Sequence, residues 1–216
     1  MQGLNKILKL MLAYSINLNP KQKTKNKMKK ITLFAATVML SLATFAQTWT
    51  LDKAHAKLGF TITHLMVSDV EGAFKTFDIT IASSKDDFSD AVISLTADVN
   101  SINTDNEKRD THLKSPDYFD AAKYPTLTFK SKSFTKVDGK NYKLTGDLTM
   151  HGVTKTVTLN VVYNGTIIHP MTKKPVAGFK VTGTFKRSDF GISPGTPTSI
   201  LSDEVNLIAN AEFVKQ

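Results

Sequence analysis

The chain has 216 residues, no cysteine and a formal net charge of +9. Eight of its 28 basic residues and none of its 19 acidic ones lie in the first 46 positions, leaving 20 basic against 19 acidic side chains in residues 47–216. The basic total therefore does not mark a nucleic-acid binder, and the missing cysteines exclude disulfides and any thiol for lipid attachment.

In chain order, the first feature is a leader. Met28-Lys29-Lys30 is a short positive start, followed by the apolar run ITLFAATVMLSL and then Thr44-Phe45-Ala46. This is the three-part layout of a secretory signal, with cleavage expected after Ala46 and Met28 as the expected true start. The apolar run is too short for a bilayer core of roughly 30 Å, which needs ~20 residues. The expectation is thus a leader over 1–46, no stable membrane insertion once it is removed, and one exported domain over 47–216. A domain of that size buries enough apolar surface to stand without disulfides.

From residue 49 the sequence alternates. Leu58, Phe60, Ile62 and His64 share one face, and Phe77, Ile79 and Ile81 repeat the pattern, as do Ile93, Leu95, Ala97 and Val99. Period-two alternation rich in Thr, Val, Ile and Phe denotes strands with one apolar face. The parity slips by one between Phe74 and Phe77, which predicts a β-bulge. Thr104-Asp-Asn-Glu107 has the form of a capping box and Ser115-Pro116 that of a second cap. One or two short surface helices are therefore expected over 104–119.

Strands resume at Leu127 and Phe129. Asp138-Gly139 is a hairpin signal leading to Tyr142, Leu144, Gly146, Leu148 and Met150 on one face. Val157, Leu159, Val161 and Tyr163 follow His151-Gly152, and Asn164-Gly165 is read as a further hairpin turn. Phe179, Val181, Gly183 and Phe185 follow, then Val205, Leu207, Ala209, Ala211 and Phe213. The count is eight strands, at about 55–66, 70–82, 91–99, 126–136, 141–150, 153–163, 176–187 and 204–214. Short connections make neighbours antiparallel. A sandwich suits the same count, but an eight-stranded closed barrel leaves no open edges. Such a barrel is either filled by its side chains or holds one small ligand.

Three polar positions bear on function. His151-Gly152 lies between two strands with no residues to spare, and both residues tolerate positive φ, so the histidine is read as a turn residue rather than a catalytic one. His64 ends an apolar face and is either a hydrogen-bonded core histidine or a contact to a ligand headgroup. Arg187 continues the face of Val181 and Phe185. It is either tied to Asp189 or the backbone, or it orients a polar headgroup. The histidines form no metal-binding pair, and no nucleophile elbow, phosphate loop or dinucleotide motif is present. No cofactor, no metal and no enzyme activity are expected.

Five stretches in order, WTLDKAHAKLGFTITHL (49–65), YFDAAKYPTLTF (118–129), GDLTMHGVTKTVTLNV (146–161), GFKVTGTFKRSDFGI (178–192) and SDEVNLIANAEF (202–213), resemble the YceI-like, or polyisoprenoid-binding, family. The resemblance implies a lipocalin-like antiparallel barrel exported to the bacterial periplasm, enclosing an isoprenoid or similar long-chain amphiphile for transport or storage. The expected lining is Phe60, Ile62, Phe77, Ile79, Leu148, Val157, Leu159, Val161, Phe179, Val181 and Phe185, with His64 and Arg187 as polar contacts. The alternatives are an enzyme acting on such a lipid, with His64, Arg187 and Asp189 as its only constellation, or an interaction module with a solid core. A homodimer is compatible with any of these.

Overall fold

The computed structural model describes residues 46–216; the expected leader, with its start at Met28, lies outside the described residues. The strand segments are β1 (Gln47–His64), β2 (Ser68–Phe74), β3 (Phe77–Ser83), β4 (Val92–Asp98), β5 (Ile102–Asn103), β6 (Thr126–Asp138), β7 (Asn141–Met150), β8 (Val153–Ile168), β9 (Pro175–Lys186) and β10 (Leu201–Lys215). One short helix, α1 (Glu107–Leu113), interrupts them. Ten segments make eight barrel strands. β2 and β3 both pair with β1 and are halves of one strand. β5 continues β4 beyond a 3₁₀ turn at Val99–Ser101 and pairs with β2. All pairings are antiparallel, and the β1–β10 ladder closes the sheet on itself. The fold is the expected all-β, eight-stranded antiparallel barrel with a short helical insertion, and not the sandwich that the same strand count allows.

The parity slip before Phe77 is a two-residue break rather than a single bulge. Lys75 and Thr76 leave the ladder, and their amides are taken by the carbonyl and hydroxyl of Ser101 at 3.1 and 2.9 Å. A true bulge sits in β1, where Asp52–His55 stand against Glu212 alone, between the pairs Leu51–Phe213 and Ala56–Ala211.

His151 and Gly152 form a two-residue hairpin turn between the paired Met150 and Val153, with φ of 52° and 72°. Two left-handed residues make the type of turn whose twist suits adjoining strands. Glycine is also required by space, because a Cβ there would lie 2.5 Å from the Tyr124 ring. The ring of His151 packs edge-on to Tyr124, with Nδ1 3.0 Å from the carbonyl of Phe190.

Asn164-Gly165 is not a turn. β8 runs through it to Ile168, and the register with β9 slips between Tyr163–Phe179 and Gly165–Gly178. Asn164 is the extra residue of a β-bulge, Gly165 supplies φ of 120°, and the reversal comes later, over 169–174. The continuing ladder overrides the local turn preference of the dipeptide.

The helix also differs from its sequence reading. Asn106, not Thr104, caps α1, its side chain accepting from the amide of Arg109 at 3.0 Å. Thr104 is buried, and its amide and hydroxyl donate to Asp110 Oδ1 at 2.8 and 2.6 Å. The expected second helix after Ser115 is a series of turns. Strand directions give the barrel two unlike ends. The helix end carries α1, the His151 turn and residues 187–200; the other, the termini end, carries the 84–91 loop, the Gly139 and 169–174 turns, the start of β1 and the end of β10.

Candidate functional site

The inward side chains of the strands surround a cavity of about 360 Å³. Of the residues expected to line it, Phe60, Ile62, Ile79, Leu148, Val157, Leu159, Val161, Phe179, Val181 and Phe185 do so, and His64 and Arg187 border it as well. Phe77 does not. It is the first residue after the Lys75–Thr76 break and packs half-buried against the core outside the lining. Gly183 faces inward opposite Leu159, but it opens no extra space, since a Cβ there would overlap the Leu159 side chain.

The barrel is solid at one end and hollow along the rest. At the termini end Phe88 is fully buried, with its ring centroid 5.0 Å from Trp49, 5.3 Å from Tyr163 and 5.1 Å from Phe179. Phe134 and Tyr142 stack beside them at 4.7 Å, and Phe179 packs on Phe213. Aromatic rings at these distances in tilted or edge-on contact make a close-packed layer. At the helix end, by contrast, the lining includes the exposed rings of His64 and His112, so the cavity opens there.

The mouth is built by residues that the alternation does not reveal. Thr104, Arg109, His112, Leu113, Tyr118 and Phe119, from α1 and its flanking turns, all line the cavity. Phe119 meets Phe74 edge-on at 6.0 Å, and Phe74 lies 6.0 Å from Phe60, so the insertion is joined to the wall by aromatic contacts. The helix is therefore part of the entrance rather than a surface ornament. Arg109 donates from Nε to the Thr104 hydroxyl at 2.8 Å and from Nη2 to the Thr104 carbonyl at 2.7 Å. Its Nη1 has no partner among the described residues, nor does the ring of His64. Residues Leu65, Met66, Val67 and Ile200 at this end are exposed, but so are Ile167, Ile168 and Met171 at the other. Apolar exposure alone does not mark the mouth.

His64 is thus an exposed rim residue and not a buried core histidine. Arg187 is 4 % exposed and donates to five main-chain carbonyls: Nε to Ser202, Nη1 to Ile192 and Ser193, and Nη2 to Thr196 and Leu201. A guanidinium has five N–H groups, so none is left for a ligand. Asp189 is exposed and makes no ion pair with it. Asp203 lies nearby. Burial alone would raise its carboxyl, but hydrogen bonds from Ser188 and the charge of Arg187 outweigh this and leave it below its ordinary value. The proposed His64–Arg187–Asp189 constellation is accordingly not assembled. Among the described residues no helix is long and apolar enough to cross a membrane.

A closed antiparallel barrel with a blind apolar lumen, open beside a short helix, defines a lipocalin-like binding fold. The pattern of the YceI-like domain matches residues 49–213, and the chain belongs to that family. It is 41% identical over 169 residues to the UPF0312 protein SA2479 of Staphylococcus aureus, covering 76% of this chain and 96% of the relative. The crystal structure of the YceI protein of Campylobacter jejuni matches with a TM-score of 0.65 at 38% identity, over 76% of this chain and 96% of that one. BcnA of Burkholderia cenocepacia matches at 0.66 and 29%, over 75% and 98%. A polyisoprenoid binding domain from Saccharophagus degradans, implicated in plant cell wall breakdown, shares the fold at 0.57 with 16% identity, over 80% and 99%. The family and the fold point to a binding protein rather than an enzyme.

Proposed function

We propose that this chain is an exported carrier or store for an amphiphile with a long isoprenoid tail, quinones included. The observation that carries the proposal is the blind lumen, with apolar walls along its length and unpartnered polar groups only near its open end. An apolar chain gains roughly 25 cal/mol for each Å² it withdraws from water, so the walls supply most of the affinity. Arg109, His64 and His112 at the mouth face the headgroup and set its direction, the division of labour common to ligand pockets. A cavity of about 360 Å³ stands near the lower end of the range for small-molecule sites, so it accommodates one chain. The isoprenoid class rests on family membership, and the fold shared with the Saccharophagus domain agrees with it.

Export to the periplasm rests on the leader, with Gln47 as the mature first residue. An intact mass of the exported protein starting far from Gln47 removes that part of the proposal. The lumen itself is tested by filling it. Ala209 is buried, lines the cavity and faces Val181 across the β9–β10 ladder. Its replacement by phenylalanine puts a ring into empty space, so Ala209→Phe folds and loses at least ten-fold in affinity for an amphiphile in a displacement titration. A folded Ala209→Phe that binds as tightly as the natural protein contradicts a lumenal site.

A further inference from the structure

The floor of the lumen is not made by the strands alone. Phe88 comes from the loop joining β3 to β4, in a polar setting, Lys85-Asp-Asp-Phe-Ser-Asp90, where a single aromatic residue turns inward. It lines the cavity, has no exposed surface and sits against Trp49, Tyr163 and Phe179. Its backbone holds φ at 58°, a left-handed conformation that costs a bulky residue energy and persists only where the surroundings enforce it. The surroundings do enforce it. Asp90 accepts hydrogen bonds from Ser83 and Ser84, and the hydroxyl of Tyr142 donates to the carbonyl of Asp87 at 2.9 Å. A strained loop is thus fastened on both sides to hold one ring across the barrel's closed end.

We infer that Phe88 is the stop that sets how long a chain the lumen accepts. The inference rests on the reading that the lumen takes an apolar chain end-on. Each methylene added to such a chain and buried strengthens binding about four-fold. The gain ends when the chain's tip meets the ring. A longer chain leaves carbons in the water at the mouth or displaces Phe88 from three aromatic contacts, and neither improves affinity. Affinity therefore rises with chain length to a break and then levels off, and the position of the break belongs to Phe88.

The purified protein is titrated with straight-chain fatty acids from octanoic to docosanoic, and with the same chains brominated on the terminal carbon. Trp49, the chain's single tryptophan, is 5.0 Å from the Phe88 ring and reports the arrival of bromine at the floor. The natural protein shows the break, and terminal bromine quenches Trp49 only for chains at or beyond it. In Phe88→Gly, whose glycine suits the left-handed backbone, the break moves to longer chains by about three carbons, roughly the depth of one ring. Phe88→Leu moves it less. An unchanged break in either folded variant overturns the inference, as does quenching that is absent or equal at every length; the bromine arm decides even where a variant does not fold. Failure of the natural protein to bind any of the chains overturns the lumenal reading itself, and this inference with it.

Discussion

Arg187 is the clearest case of a residue whose role follows from counting donors. Its position on the inward parity of β9 suits either a ligand contact or a structural one, and five carbonyls from residues 192–202 settle the account in favour of structure. A buried cation with no carboxylate in direct contact is tolerated because carbonyl dipoles surround it, every N–H is satisfied and the charge of Asp203 lies nearby. Lysine keeps the charge but offers three donors in place of five and no planar fork. Arg187→Lys therefore leaves at least two of these buried or part-buried carbonyls without their donor, at about 1–3 kcal/mol each where water cannot reach them. The expected result is a lower urea midpoint at an unchanged denaturant slope, the shift times the slope amounting to ~2 kcal/mol. An unshifted midpoint denies Arg187 this role. His151 is a second residue resolved by geometry, since its left-handed φ next to Gly152 makes it a turn residue whose ring also reaches the carbonyl of Phe190.

The loop from Ser84 to Ala91 couples an exposed hydrogen-bond cluster to the buried floor. Hydrogen bonds from the hydroxyls of Ser83 and Ser84 hold the carboxyl of Asp90 far below the ordinary value of 3.8, and the amides of Ser84 and Lys85 add to the effect. A carboxyl whose folded value is depressed stabilises the fold at pH above its unfolded value, and the contribution fades as pH falls below about 4. Acidification through that window is expected to loosen the loop before the barrel. It appears as a fall in the protection factors of the Ser84 and Lys85 amides, taken against their intrinsic exchange rates at each pH, and as a change in Trp49 emission. Asp90→Asn should remove the low-pH part of both responses; a variant that keeps the full response places its origin elsewhere.

The strands were legible in the sequence and the connections were not. Alternation fixes which face of a strand is buried, so spacing put Phe60, Ile62, Leu159, Val161 and Phe185 on the inward face, and closure of the barrel makes that face the lumen wall. Asn164-Gly165 was misleading because a bulge and a turn call for the same residues, and only the partner strand, running on to pair Ile168 with Pro175, distinguishes them. Arg109, His112 and Phe119 gave no periodic signal, since their place at the mouth is set by where the insertion docks and not by its own pattern. Phe88 left one trace, a lone aromatic among charged loop residues, which a search for apolar side chains out of place would have found.

For the whole molecule, closure determines what the inner face can do. Eight strands leave a lumen just wide enough for side chains to fill or for one ligand to occupy, and this barrel does both in different places. Large rings close the termini end, while nearer the helix end the lining turns to residues such as Ala209 and Val181 and leaves a cavity between the walls. Sequence alone could not divide the lumen this way, because filling depends on where the aromatic residues of different strands fall along the barrel axis. The register places Tyr163 against Phe179, and the 84–91 loop adds Phe88 to the pair.

The hollow part is where the proposed ligand binds. Native mass spectrometry of the protein isolated gently from its own host, beside Ala209→Phe prepared in the same way, tests it most directly. One amphiphile adduct per chain is expected in the natural protein and none in the filled variant. Natural protein without any adduct, or an adduct that persists unchanged when the lumen is filled, is incompatible with binding inside the barrel.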